Sequence, residues 1–161
     1  MSKKSDSKSN PSPATIPPVL TGVAGEYFVA GELSRRGYIA SISLRNTRGI
    51  DILVTNQTAS HSVTIQCKTS QVYRKIWMLT EKVERLFAPN HYYVFVGLGA
   101  ANKRPTFHIV PSTIVAKVVA KEHRQWLRTF RKDGRKHADS AMRNFRDPND
   151  EYLDRWDLLG L

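Results

Sequence analysis

Apolar residues along the chain first recur at helical spacing. Val23, Tyr27, Ala30 and Leu33 fall on one stripe, and Thr21 stands where a cap would. Arg35 and Arg36 occupy the last turn and Gly37 follows as a stop, so the pattern predicts a helix over about residues 22–36. Residues 38–44 read as a strand, 45–49 as turn chemistry, 50–55 as a second strand and 56–61 as a polar loop. Residues 62–69 alternate cleanly and make a third strand. Trp77, Leu79, Val83 and Leu86 suggest a second helix over about residues 80–88. Residues 92–98 are apolar on both faces, as in a central strand, and 106–110 form a further strand. A long helix opens at Pro111 and Ser112. Ile114, Val115, Val118 and Val119 form its core face, Trp126, Leu127 and Phe130 continue it, and Gly134 ends it. A short terminal helix packs Trp156 and the leucines around it onto the body. The order of elements gives an α/β fold: a mixed central sheet flanked by helices, with a basic helical C-terminal extension. Residues 1–19 are rich in Ser, Lys, Asn and Pro and read as a disordered basic tail, leaving 20–161 as a single domain.

The second and third strands form a hairpin around the polar loop. With Thr55 opposite Ser62, antiparallel pairing matches Val54 to Val63 and Ile52 to Ile65 on one apolar face. The other face then holds Leu53 opposite Thr64, Asp51 opposite Gln66 and Gly49 opposite Lys68. A slip of one residue would separate Asp51 from Gln66 and Lys68. Asp51 offers a carboxylate and Gln66 an amide oxygen, both hard ligands suited to Mg²⁺ or Mn²⁺. The Lys68 ammonium can orient an attacking water or offset charge on a phosphoryl group. Glu26, near the buried stripe of the first helix, is a carboxylate that wants a metal or a donor.

Charge adds a partner class. The chain of 161 residues carries 25 Lys+Arg against 14 Asp+Glu, a net +11 with pI near 10.0. Such an excess on a compact chain fits a polyanionic partner. Arg45, Arg48, Arg74 and Lys75 flank the Asp51 cluster, and Arg124, Arg128 and Arg131 recur as a stripe suited to phosphates. Tyr73 and Trp77 are the only aromatics placed to stack on bases. The single cysteine, Cys67, excludes an intrachain disulfide and reads as a small core residue. No zinc spacing is present, and no apolar run is long enough to cross a bilayer, so a cytoplasmic protein without a membrane partner is expected.

The string Gly49-Ile50-Asp51 and, about fifteen residues on, Ile65-Gln66-Cys67-Lys68 resembles the signature of the PD-(D/E)xK nuclease superfamily. The order of helix, three strands, helix and strand is similar to that family's common core, which would span about residues 22–98, with 99–161 as an extension. Glu26 on the first helix resembles the Holliday-junction-resolvase-like branch. The resemblance implies a restriction-endonuclease-like fold and a Mg²⁺-dependent endonuclease acting on DNA rather than RNA. Asp51, Gln66 and Glu26 would hold Mg²⁺ or Mn²⁺, and Lys68 would position the water. A homodimer would also suit, because many such enzymes cut two strands as pairs. Gln66 departs from the family's usual acid and removes one negative charge from the metal site. That departure supports a rival reading, a catalytically inactive nuclease-like module that binds DNA, RNA or a protein partner. A third reading is a basic ribonucleoprotein component with no inherited site.

Overall fold

The structure, a computed structural model, describes residues 16–44, 49–72 and 74–161. Its elements are α1 (Pro18–Ser34), β1 (Ile39–Ile42), β2 (Ile52–Thr55), β3 (Ser62–Ser70), β4 (Ile76–Thr80), β5 (His91–Gly97), β6 (Thr106–Pro111), α2 (Ser112–Leu127) and β7 (Met142–Arg146). Short 3-10 turns lie at Glu81–Glu84 and Trp156–Leu159. The main sheet has five strands in the order β1-β2-β3-β5-β6. Its β3–β5 pair is parallel and its other pairs are antiparallel, and β4 pairs with β7 in a separate two-stranded sheet. The class is therefore mixed α/β. No helix of the described residues is long and apolar enough to cross a membrane.

Strand alternation builds two cores on the two faces of the main sheet. Val63, Ile65 and Cys67 of β3 and Val94 and Val96 of β5 pack with Val29 and Leu33 of α1, and Trp156 and Leu159 close the same cluster. Tyr93 and Phe95, on the opposite face of β5, pack with Trp77, Val115, Val119 and Phe145. Phe95 stacks on Phe145 at 4.4 Å between centroids. Burial of side chains such as Val29 and Leu33 is worth about 1.5–3 kcal/mol each, which is what holds α1 to the sheet. The helix also comes close at one point. A Cβ on Gly25 would lie 1.9 Å from Thr69 Oγ1, so only glycine lets α1 lie against the end of β3.

Several expectations are corrected here. The helix expected over residues 80–88 is β4 followed by a 3-10 turn. Trp77 and Leu79 are buried while Ile76, Met78 and Thr80 are exposed, a period of two that resembles helical spacing only because Val83 and Leu86 follow. The long helix stops at Leu127, with Arg128 as its cap. Phe130 does not extend the apolar stripe. It is exposed and bridges Lys136 in a small turn. The polar, basic stretch beyond contains β7, where Arg143 and Phe145 are buried. The terminal element is only the 3-10 turn, although Trp156 and Leu159 do pack onto the body. Thr21 is no cap: α1 starts three residues earlier at Pro18, and the Thr21 hydroxyl donates to Pro17 O at 3.2 Å. The expected tail falls on residues 1–15, outside the described residues, except at its last few positions.

Glu32 fastens α1 to the far end of the molecule. It is buried, and it pairs with Arg36, with Arg35 at 3.2 Å and with Arg104 of the β5–β6 loop at 3.1 Å. Burial works to raise its carboxyl, but the hydrogen bonds and charges of Arg104 and Arg36 prevail and hold it below the ordinary range. A depressed acid stabilises the fold above its unfolded pKa, and that stability is lost as pH falls through the folded value. Glu32→Gln should therefore cost about 2 kcal/mol at neutral pH. The cost should vanish in acid, where the wild type is itself protonated. Urea unfolding at the two pH values checks this.

Candidate active site

The hairpin of β2 and β3 has the register that apolar matching requires: Thr55 opposite Ser62, Val54 opposite Val63, Leu53 opposite Thr64 and Ile52 opposite Ile65. The ladder changes one residue further on. Asp51 N–H donates to Ile65 O at 2.8 Å, so Asp51 and Ile52 both face Ile65, as in a β-bulge. The Asp51 carbonyl accepts from Ser43 N–H at 2.8 Å, which fixes the bulge from the β1 side. Asp51 therefore does not sit squarely opposite Gln66 as simple alternation predicts. Its Oδ2 instead accepts the Cys67 N–H at 2.7 Å, and the carboxylate takes the place of a main-chain acceptor where β2 leaves β3.

Charges converge on this point from both faces of the sheet. The Cys67 thiol is pushed well up, by burial first and then by the negative charges of Asp51 and Glu26, with Lys68 opposing. Glu26 of α1, Asp51 at the bulge and Lys68 of β3 thus all act electrostatically on one buried position. Burial likewise pushes the Asp51 carboxyl up, against the Cys67 hydrogen bond and the Lys68 and His91 charges. Two β5 side chains also feel Asp51. His91 is lowered by burial and raised in part by the Asp51 charge, and Tyr93 is pushed up to about 12 by burial and then by Asp51. Gln66 is in register with Tyr93 across the parallel pair, and its Oε1 lies 3.9 Å from where a Gly49 Cβ would be. Among the described residues no hydrogen bond joins Gln66 to Asp51. The amide faces a cavity of about 880 Å³ that Gly49, Lys68 and Tyr93 also line.

This donor set fits a divalent cation of the Mg²⁺ or Mn²⁺ kind. Asp51 and Glu26 supply two negative charges and hard oxygens, and a cation would offset the cost of burying the Asp51 carboxylate. Cys67 is buried as expected of a small core residue. A second cluster, His108, Asp147 and Asp150, has potential ligand atoms within 4.8 Å of one another. Its groups have structural uses. Asp147 accepts from His108 Nδ1 at 2.6 Å, assigned as N–H donor, and from the Glu151 and Tyr152 amides at 2.9 and 3.0 Å, while Asp150 pairs with Lys75 at 2.6 Å. It pins the loop after β7 to β6.

The basic residues are dispersed. Arg45, Arg48 and Tyr73 lie outside the described residues. Arg74 is exposed. Lys75 is held in its ion pair with Asp150. Arg124 is in the last turn of α2, Arg128 caps that helix, and Arg131 lies in the following turn, 4.0 Å from Asp133, so the three share no continuous helical stripe. None of the three lines the cavity beside Gln66, whose cations are Lys68, Lys82 and Arg85. Trp77 is core, with Nε1 donating to Val96 O at 3.0 Å, and is no stacking platform. Sequence reasoning missed His91, Tyr93, Lys82 and Arg85. The first two were masked by an apolar run, and the last two by the helix expected there.

No family model, curated protein or solved structure matches the chain.

The raised Asp51 carboxyl has a consequence for stability. A group whose pKa is higher in the folded chain contributes stability that is present below the unfolded pKa and lost as pH rises through the folded value. Without metal, ionised Asp51 therefore weakens the fold at neutral pH. Asp51→Asn keeps an acceptor for Cys67 N–H and removes the charge. The metal-free variant should melt a few degrees above wild type at neutral pH, and the gap should close in acid. Thermal unfolding in chelator across that range measures it.

Proposed function

We propose that the chain is a metal-dependent nuclease that hydrolyses phosphodiester bonds of DNA. The observation that carries this reading is the half-buried Asp51 carboxylate at the splayed end of the β2–β3 hairpin, with the Lys68 charge acting on it and the charges of Asp51, Glu26 and Lys68 all acting on the neighbouring Cys67 thiol. Asp51 and Glu26 would hold Mg²⁺ or Mn²⁺, with the Gln66 amide as a neutral further ligand. Bound there, the ion would supply Lewis acidity toward a phosphoryl oxygen and a water of lowered pKa. Lys68 directs its cation at the same place, where it orients the attacking water and offsets charge on the phosphoryl group. Tyr93 and the apolar walls of the cavity lie beside Gln66 and Lys68. The resemblance of Gly49-Ile50-Asp51 and Ile65-Gln66-Cys67-Lys68 to the PD-(D/E)xK signature supports the same assignment and a restriction-endonuclease-like fold. Two copies of the chain would be needed to cut both strands at one place. A cytoplasmic setting suits a lone buried thiol such as Cys67.

One observation favours the rival, an inactive nuclease-like module: Gln66 stands where an acid is usual. Purified protein with duplex, single-stranded and branched DNA, with Mg²⁺ or Mn²⁺, separates the two. Cutting by wild type that disappears in Asp51→Asn and in Lys68→Ala, with both variants folded, is the expected result. Binding without cutting in any metal would favour the inactive module instead. Gln66→Glu should be tolerated and should tighten Mn²⁺ binding in calorimetry, and unchanged affinity in the folded variant would mean that Gln66 does not touch the ion.

The charge of the chain makes a separate expectation. Binding should be mainly electrostatic. If about five phosphates are neutralised, log K should fall against log salt with a slope of roughly −4 to −5. Neutralising Arg124, Arg128 and Arg131 together should flatten the slope only if the end of α2 lies on DNA. A slope near zero for wild type would remove nucleic acid as the partner of the basic surface.

A further inference from the structure

The cavity beside Gln66 and Lys68 has a lining that divides by chemistry. Met78, Leu79, Val83, Leu86 and Met142 make apolar walls. Lys68, Lys82 and Arg85 supply cations, and none of the described residues that line it carries a carboxylate. Tyr93 also lines it, and the Tyr93 hydroxyl is buried without a hydrogen-bond partner among the described residues. A tyrosine hydroxyl is a hydrogen-bond donor at neutral pH. A buried donor left unsatisfied is costly, and a ligand acceptor would relieve it. At about 880 Å³ the space is within the usual range of small-molecule sites, roughly 300–1,000 Å³.

An occupant must therefore combine a flat apolar body, an acceptor on its edge and an attached anion. A nucleobase with its own phosphate has all three. The methionines can lie against the ring through their polarisable sulfur, the cations can meet phosphate, and Tyr93 can donate to the base edge. A bare phosphate would leave the apolar walls unused. A base inside a continuous duplex cannot enter, because its faces are stacked and its edge is paired. We propose that this cavity receives one unpaired nucleotide beside the scissile phosphate, so that the substrate is DNA with an unpaired or easily extruded nucleotide rather than a continuous duplex. The inference rests on the nuclease reading for its place beside the cut. Taking a base out of the stack costs least where it is mismatched or already single-stranded, which gives the selectivity its physical source.

The test uses the full chain and pairs of duplexes of equal length, one fully paired and one carrying a single unpaired 2-aminopurine. Affinity is read by fluorescence anisotropy without divalent metal, and the environment of the base by its own emission. The unpaired form should bind about tenfold more tightly, within what one stacked base contributes, and its emission should change on binding. Met78 is exposed, so Met78→Trp fills the cavity without disturbing a core, and it should abolish the preference for the unpaired form. Tyr93→Phe should reduce the preference with the fold intact. Equal affinity for the two duplexes overturns the inference, and so does a preference that survives Met78→Trp. Displacement of the bound duplex by a free deoxynucleoside monophosphate at comparable concentration would also overturn it, since the site would then take free nucleotide. The nuclease reading fails separately, through absence of cutting of either duplex with Mg²⁺ or Mn²⁺, and the binding preference would still be measurable in that case.

Discussion

The hydrogen bond from Cys67 N–H to Asp51 Oδ2 governs how the central hairpin ends. A buried amide must be satisfied, and with Asp51 N–H turned to Ile65 O the main chain of β2 no longer supplies an acceptor for it. The Asp51 side chain does so instead. The carboxylate is then fixed at the point where β2 and β3 part, within the electrostatic reach of Lys68 and two side chains of β5. Truncating Asp51 to alanine would orphan an amide as well as remove the carboxylate proposed as a metal ligand. The asparagine variant is the cleaner probe for that reason.

Contacts on either side of the sheet make this point accessible to groups from both layers. α1 can lie against β3 only because Gly25 has no side chain to meet Thr69, and this close approach brings Glu26, the next residue, to the Cys67 end of the strand. On the other face the parallel pairing of β3 with β5 places Gln66 beside Tyr93 and Lys68 beside Phe95. β4, β7 and α2 cover that face further along, through Trp77, Phe145 and Val119, and leave the cavity open where their cover stops. The site is thus a product of incomplete cover over a sheet that is otherwise packed on both sides.

The parts legible in the sequence were those fixed by short-range patterns. The first helix, the β2–β3 register and the burial of Trp156 follow from periodicity and from matching apolar residues a few positions apart. The parts that were not legible depend on partners far along the chain. β7 is visible as a strand only once β4 is there to pair with it, and Arg143 is buried in it with its guanidinium met by Glu84 and by the Ser140 and Met142 carbonyls. Taken alone, that stretch is polar and basic. The bulge at Asp51 was hidden for a different reason: a ladder extrapolated by alternation has no way to register a side chain replacing a main-chain acceptor. His91 and Tyr93 were absorbed into an apolar run, although alternation places them with Phe95 on the face that Gln66 and Lys68 share.

Gln66 can be understood through the same electrostatics. Asp51 is already buried enough for its charged form to be disfavoured, and Glu26 adds a second negative charge around Cys67. A third carboxylate at position 66 would sit across from Tyr93 at the cavity wall, and like charges close together raise one another's pKa. Lys68 would have to offset more negative charge before any cation arrived. A neutral amide keeps an oxygen facing the cavity and spares the empty fold that repulsion. The trade is affinity: each carboxylate removed from a site weakens its hold on a divalent ion, because the attraction of two charges is exchanged for that of a charge and a dipole. Where a carboxylate–amide bond helps to hold the hairpin end, a less charged site protects that bond and the geometry to which it contributes.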